Sequence, residues 1–421
     1  MTSESSSSVY IVDMSRTPFL RVEKGPGSFS ASDLAVLACQ PMLLRQSFLP
    51  TEIGEVVTGC MIPSSEEANI SRIISLRLGC GQRVPAYTVQ RNCASGMQAL
   101  DSAVLDIQSG RHDIVLAGGT DAMSRAPLTF NFAMTRWFSA LAASRTFSQK
   151  IKMLLRFRPR FLSPDISLLQ GLTDHTIRMS MGQTAEEVAY RYRVSRQMMD
   201  EYALQSHMRA LDARQNKHLS NIVPIVDVQS GKIIMEDNGI RADSALEKLA
   251  TLKPFFDKPF GLVTPGNSSQ ITDGAAFMLL ASEEAVKKYG LKPRAKIAAT
   301  AWAGVAPEVM GLGPVAAIQK LCRENSCSFD SIDYWEINEA FSAQVLACLR
   351  AFSEEGELIP EPRLNIYGGA ISLGHPVGAS GVRIVMQLIN ALENNGAKRG
   401  IASLCIGGGQ GGAMLIERVF E

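Results

Sequence analysis

The chain has 421 residues, 46% of them hydrophobic and 20% charged, with Lys+Arg 42 against Asp+Glu 41. That near-neutral balance speaks against a general nucleic-acid or membrane field, and the length suggests two or three domains with sizeable cores. No apolar run is long enough to cross a bilayer, and Met1–Ser8 has neither the basic nor the apolar region of a secretory signal.

Taken in chain order, the opening serines are expected to be a short disordered lead into a strand at Val9–Asp13. Further strands are expected at Glu55–Cys60, Ala86–Gln90 and Asp113–Ala117, separated by helix-length segments. Asn92-Cys-Ala-Ser-Gly-Met-Gln-Ala-Leu runs into an amphipathic helix, with Met97, Leu100, Val104 and Ile107 on one face and Gly110 to close it. From 126 to 271 the chain becomes rich in Met, Arg and Gln. The long patterns Gln183–Tyr192 and Ser195–Arg214 there read as a helical insertion, not a third sheet. Strands resume at Ala295–Ala299, Asp333–Ile337, Leu364–Tyr367, Ile401–Ile406 and Ala413–Arg418. Such alternation predicts α/β layers around central sheets. The order loop, helix, strand, glycine pair occurs after Cys93 and again after His375. It reads either as an internal duplication or as the echo any α/β chain can show.

Eight cysteines are spread over the chain (Cys39, Cys60, Cys80, Cys93, Cys322, Cys327, Cys348 and Cys405). With no secretion signal they read as reduced thiols in a cytosol-like compartment. Cys322 and Cys327 have no histidine at ligand spacing, so no zinc site or other metal is expected.

Four motifs could carry chemistry. Cys93 stands where a strand gives way to a helix, a position that lowers a thiol's pKa; a buried inert cysteine would fit the same place. His375, framed by Gly374 and Gly378, could be an exposed general base or a structural loop histidine. Asn338-Glu-Ala-Phe follows an apolar strand. Asn338 could hold a water or an oxyanion and Glu339 could fix its neighbours, although a plain turn uses the same residue types. Cys405 precedes a glycine run from Gly407 to Gly412 that satisfies the dinucleotide fingerprint. The segment after it reads as a closing strand where that motif needs a helix, so a Rossmann site is rejected.

Together these motifs resemble the thiolase family over almost the whole chain. Cys93-Ala-Ser-Gly, Asn338-Glu-Ala-Phe, Gly374-His-Pro-Val-Gly-Ala-Ser-Gly and Cys405-Ile-Gly-Gly-Gly occur in the family's order. Gly118-Gly-Thr-Asp-Ala-Met-Ser and Gly266-Asn-Ser-Ser-Gln-Ile-Thr-Asp-Gly add to them. The resemblance implies a duplicated α-β-α-β-α five-layered thiolase fold. Its first half would be 1–125, completed by about 272–292. A mainly helical, coenzyme A-binding loop domain would span 126–271, and the second half 293–421. It also implies Cys93 as the acylated nucleophile, His375 as its base and Cys405 as the proton donor and acceptor. One oxyanion hole would be formed by His375 with a water held by Asn338, the other by the N–H groups of Cys93 and Gly407. Ser269 and Met181 would contact substrate or CoA. CoA is then a co-substrate, with no permanently bound cofactor. The family further implies a homodimer or homotetramer.

Leu169-Gln-Gly-Leu-Thr-Asp and Met181-Gly-Gln-Thr-Ala-Glu-Glu-Val-Ala resemble degradative thiolases related to the β-subunit of the trifunctional complex. That implies cleavage of 3-ketoacyl-CoA in fatty-acid β-oxidation and a hydratase–dehydrogenase partner. Many of those proteins carry His at the place of Asn338. Short-chain acetyl-CoA acetyltransferases carry His-Met-Gly where this chain has Ser180-Met181-Gly182. An acetoacetyl-CoA condensing enzyme, a 3-ketoacyl synthase and a non-catalytic lipid-binding or structural homologue are the alternatives; Cys405 counts against the synthase. The stretch from Ala122 to Pro164 has no acidic residue but eight Lys and Arg among aromatic and aliphatic side chains. Such a segment fits three roles: an anionic membrane surface, reached through 136–160; a cap over the acyl tunnel; or a partner surface. A cytoplasmic protein, peripheral at the inner membrane, is the expectation.

Overall fold

The computed structural model describes residues 8–420, so the serine lead at 1–7 lies outside the described residues. Nine strands form one path: β1 (Val9–Arg16), β2 (Glu55–Gly59), β3 (Ala86–Val89), β4 (Ile114–Ala122), β5 (Thr272–Ser282), β6 (Ala295–Gly304), β7 (Tyr334–Ile337), β8 (Arg399–Ile406) and β9 (Gln410–Arg418). Their order is β7-β8-β9-β6-β1-β5-β4-β2-β3, and the short strand Leu20–Arg21 pairs with the start of β5.

The path is one arrangement used twice. In the first half β1 pairs antiparallel with β5, β5 antiparallel with β4, and β4 parallel with β2. In the second half β6 and β9, β9 and β8, and β8 and β7 repeat those three relations in the same sense. Each half even carries a register shift in its leading strand, at Ile11/Asp13 and at Ile297/Ala299, where a bulge bends the ladder. The halves join through a seam of only two residue pairs, Tyr10 with Lys296 and Ile11 with Ala295.

Period-two alternation in buried strands then builds the layers. Val115, Ala117, Ala276, Met278 and Leu280 face the same core as Ala402, Leu404, Ile406, Met414 and Ile416. The apolar faces of two helices, Ser95–Gln108 and Val377–Asn394, fill that core. The intervening residues Ile114, Leu116, Phe277 and Leu279 face outward onto the helix Ala31–Leu44. Ile401, Ala413 and Leu415 face the helices Gly313–Glu324 and Ser342–Glu354. The result is five layers, α-β-α-β-α, with the two central helices shared by both sheet halves. Met97, Leu100, Val104 and Ile107 are all buried, and Gly110 closes their helix with φ at 70°.

One expected strand is absent. Leu364–Tyr367 occupies the place that β3 takes in the first half, but it makes a single bridge, Trp335 with Leu364. The Asn365 side chain accounts for the difference. Its Oδ1 accepts from Ile337 N–H at 2.9 Å and its Nδ2 donates to the Ile337 carbonyl at 2.9 Å. A carboxamide thus takes the ladder bonds a backbone would have made, and Asn365 itself sits at φ 46°.

The insertion is mainly helical, with Met181–Arg191 and Arg196–Gln215 as its long elements, and it adds three two-stranded ribbons. One ribbon, Leu128–Phe130 with Pro164–Ile166, carries the helices Phe132–Ala142 and Phe147–Leu154 between its strands.

Close backbone approach sets how the central helices sit. A Cβ built on Gly119 would overlap the Gly378 carbonyl, and one on Gly96 would meet the same atom. Replacing Gly119 by Ala should therefore cost roughly 3 kcal/mol or more by overpacking, because backbone cannot step aside as a side chain can. Chemical denaturation of Gly119→Ala tests this, and a midpoint indistinguishable from that of the unaltered protein would contradict it.

Candidate active site

Cys93 lies in a tight turn between β3 and its helix. Asn92 adopts φ 45°, and Ser95 locks the turn by donating to the Asn92 carbonyl at 2.7 Å while accepting from Arg91 N–H at 2.9 Å. Asn92 also donates through Nδ2 to the Gly407 carbonyl at 2.8 Å, tying the turn to the loop after β8. The N–H groups of Gly407 and of Cys93 face the sulfur. Burial nevertheless pushes the Cys93 thiol above its ordinary pKa, against those N–H groups, with the Asp121 carboxylate adding to the rise. The lowering expected from the helix start is overruled: the first helical residue is Ser95, and desolvation outweighs the dipole.

His375 is buried behind the helix Val377–Asn394. Its Nδ1 lies 2.5 Å from Ser380 Oγ, which donates its one proton to the Pro376 carbonyl at 2.9 Å. Nδ1 must then be the protonated nitrogen, leaving Nε2 as a bare lone pair. Nε2 is buried and has no protein partner. Burial, helped by the Arg383 cation, lowers the His375 pKa to about 3, so the ring is a neutral base at physiological pH. The loop is held by His375 N–H donating to the Gln270 carbonyl at 3.1 Å. Gly378 N–H donates to Asp121 at 2.5 Å. Asp121 also accepts from Met61 and Ile62 N–H, although burial still raises it to about 6.

Asn338 directly follows β7 and is fully buried. Arg383 Nη2 donates to its Oδ1 at 2.9 Å, while its Nδ2 has no protein partner. Glu339 accepts from Ser206 Oγ at 2.6 Å, Tyr202 OH at 3.1 Å and Ile371 N–H at 3.3 Å, so it braces the loop that leads to His375. Burial raises its pKa. Glu336, facing Arg383 at 3.4 Å, is pushed by burial up to about 8 although that cation opposes the rise.

Cys405 is buried at the end of β8. Burial raises its pKa well above the ordinary value, with Cys93 as the next cause and Cys348 after it. The two thiols are thus neighbours, and both are held neutral. Cys405 lines neither of the cavities described next. The glycines after it turn directly into β9, so the dinucleotide reading stays excluded.

A cavity of about 350 Å³ contains Cys93, Asn92, Gly407, Gly408, Met61, Leu172, Asp174, His175 and Met181. A second, of about 860 Å³ and mostly apolar, contains His375, Ser269, Met181, Phe255, Phe256 and Phe341, with Arg21, Lys24 and Arg241 also in its wall. Met123, Leu172, Thr173, Met181 and Val377 line both cavities, which therefore share a wall. A larger open hollow of about 930 Å³, by Asp13, Arg45 and Arg294, contains no Cys or His. Among the described residues no cluster of three His, Cys, Asp or Glu side chains is arranged to hold a metal.

The structure therefore brings Cys93, Gly407 and Met181 to one cavity and His375, Ser269 and Met181 to the adjoining one, while Cys405 and Asn338 are buried and line neither. The sequence reading missed Asn92, Asp121, Ser380 and Arg383. The last two lie at steps of five and eight residues beyond His375, a spacing that could have flagged them. Asn92 and Asp121 stand inside the motifs read above, but their bonds to Gly407 and Gly378 in the other half of the chain had no local signal.

Known proteins share this fold. The family models "Thiolase, N-terminal domain" and "Thiolase, C-terminal domain" match residues 9–284 and 291–418. A β-ketoadipyl-CoA thiolase of Pseudomonas aeruginosa is 39% identical over 98% of this chain and 99% of its own. The mitochondrial trifunctional enzyme subunit β of Bos taurus is 35% identical over 97% of this chain and 88% of its own. The crystal structure of human mitochondrial 3-ketoacyl-CoA thiolase superposes with a TM-score of 0.87 at 33% identity, covering 98% of this chain and 99% of that one. The duplicated fold and these matches along nearly the entire chain lead to one conclusion: the protein belongs to the thiolase family of acyltransferases.

Proposed function

We propose that this thiolase works in the degradative direction, cleaving 3-ketoacyl-CoA substrates with uncharged acyl chains by transfer to CoA. The observation that carries the reading is the buried, unpartnered Nε2 of neutral His375, in a cavity that shares a wall with the one containing Cys93. His375 takes the Cys93 proton, and the thiolate attacks the 3-keto carbon. The oxyanion forms where the N–H groups of Cys93 and Gly407 converge. Collapse breaks the carbon–carbon bond and leaves its electron pair as an acetyl-CoA enolate, held by His375 and a water on the Asn338 amide. Cys405, a thiol with a raised pKa, gives the enolate its proton. It then recovers one from incoming CoA, whose thiolate takes the acyl group, and His375 returns its proton to Cys93. Splitting one displacement into two covalent steps lowers each barrier. Losing one oxyanion donor typically costs about 2.7–4 kcal/mol.

Two features favour an uncharged acyl chain over one ending in a carboxylate. The cavity around Cys93 is lined by Met61, Ile62, Leu172 and Met181, with no Lys or Arg. It also contains Asp174, whose pKa is lowered chiefly by the Thr176 hydroxyl and whose Oδ2 has no protein partner. That carboxylate would repel a second one. In the wider cavity Ser269 and the aromatic wall suit a pantetheine arm, with Arg21, Lys24 and Arg241 for phosphates. Among the described residues the outer edge of β3 has no strand partner, which suits a second copy in a dimer or tetramer.

The hairpin between Leu128–Phe130 and Pro164–Ile166 is read as a membrane-surface element at an inner-membrane periphery. No residue of 126–164 lines either cavity, which removes the support for a tunnel cap. Phe147 is 80% exposed and Leu155 82%. Among the described residues, none of the segment's basic side chains makes an ion pair. Each Lys or Arg near an anionic surface gains about 1 kcal/mol.

Two experiments follow. Across a panel of 3-ketoacyl-CoA chain lengths with CoA, Cys93→Ser should be inactive. Cys405→Ala should lose turnover while still accepting an acyl group on Cys93. Undiminished thiolysis by Cys405→Ala, or a preference for an ω-carboxylated chain, would refute the respective reading. In flotation at low salt the protein should rise with anionic vesicles and stay down when shortened between Arg136 and Arg160. No flotation of the intact protein would end the membrane reading, leaving a protein partner as the other occupant.

A further inference from the structure

The guanidinium of Arg383 is buried eight residues beyond His375 on the same helix. We propose that Arg383 is a positioning residue for enolate formation: it fixes the Asn338 amide so that its N–H₂ end is the end presented to the reacting oxygen. The proposal rests on the reading that Asn338 and His375 together stabilise the enolate.

A guanidinium has donors and no acceptor, so the amide atom it meets at 2.9 Å must be Oδ1. Asn338 cannot flip without setting donor against donor, and its Nδ2 is left as a buried donor with no protein partner. The backbone beneath is also pinned, Asn338 N–H donating to the Ser403 carbonyl at 2.9 Å. The other arm of Arg383 reaches Gln387 Oε1 at 3.3 Å and Glu336 Oε2 at 3.4 Å. Gln387 in turn donates to the Gly368 carbonyl at 2.6 Å, at the start of the loop that ends in His375. One planar fork therefore ties Asn338 to the helix that begins two residues after His375, a geometry that a single-point ammonium cannot reproduce. Burying a cation this deeply is costly, and an apolar side chain would fill the same space at less cost. A function at Asn338 gives a reason for the cation to be there.

The test separates carbon–carbon cleavage from simple acyl exchange. Exchange of an acyl group between a saturated acyl-CoA and isotope-labelled CoA needs Cys93 and its N–H groups but forms no enolate. Both rates would be measured for Asn338→Ala, for Arg383→Lys, and for Arg383→Met combined with Glu336→Gln, which leaves no unpaired buried carboxylate. The expected result is a fall on the order of 100-fold in the ratio of cleavage to exchange for all three. The KM for CoA should stay within about twofold, since the Arg383 fork lies behind the wall of the CoA path. If the Arg383 variants keep the normal ratio, or lose both reactions equally, while Asn338→Ala loses cleavage alone, Arg383 is merely structural and the proposal is overturned. If Asn338→Ala itself keeps the ratio, the Asn338 reading fails, and the Arg383 proposal falls with it.

Discussion

The site depends on one contact: the first turn of the helix Val377–Asn394 pressed against the glycine end of β4. Gly378 meets Gly119 and Gly96 backbone to backbone, and its N–H donates to Asp121 at 2.5 Å. A carboxylate at a helix start satisfies one of the orphan N–H groups and answers the positive end of the dipole. Because β4 belongs to the first half and the helix to the second, this contact sets where His375 stands relative to Cys93. Side chains at Gly119 or Gly378 would push the two halves of the site apart.

Around that contact the two thiols and the imidazole are kept uncharged. Burial raises both Cys93 and Cys405 and lowers His375, so no thiolate–imidazolium pair is formed in the resting site. The proton shifts only when a substrate oxyanion is there to accept stabilisation from the N–H groups of Cys93 and Gly407. This ordering also protects two adjacent thiols from indiscriminate chemistry, since the thiolate is the reactive form. The linkage follows directly. His375 has a folded pKa of about 3, below its unfolded value near 6.5. The stability linked to this neutral ring is fully present above about pH 6.5 and is lost as pH falls toward 3.

The layered fold was legible where period and punctuation agree. Val9–Arg16, Glu55–Gly59 and Arg399–Ile406 alternate or run apolar between turn residues, and Gly110 marks a helix end. Leu364–Tyr367 has the same look, but Asn365 replaces a ladder with its own side chain, an event no local pattern announces. Strand β5, central to its half, was read only as a segment completing that half. The chemistry-bearing residues were legible because Cys93, His375 and Cys405 stand in glycine frames that no core position needs. Their supports were not. Asp121 and Gly378 are 257 residues apart, and Arg383 meets Asn338 across 45. The Cys93 pKa was misjudged for a related reason: a helix start is a local property, whereas burial is set by the whole fold.

The central claim is that both halves of the chain converge on Cys93 as the single acyl acceptor. Its most direct test is a crystal structure of the protein trapped with an acyl-CoA in the absence of free CoA. The acyl group should be on Cys93 Sγ, its carbonyl oxygen between the N–H groups of Cys93 and Gly407, with His375 Nε2 facing the bond. An acyl group on any other residue, or a Cys93 acyl oxygen turned away from both N–H groups, would contradict the claim.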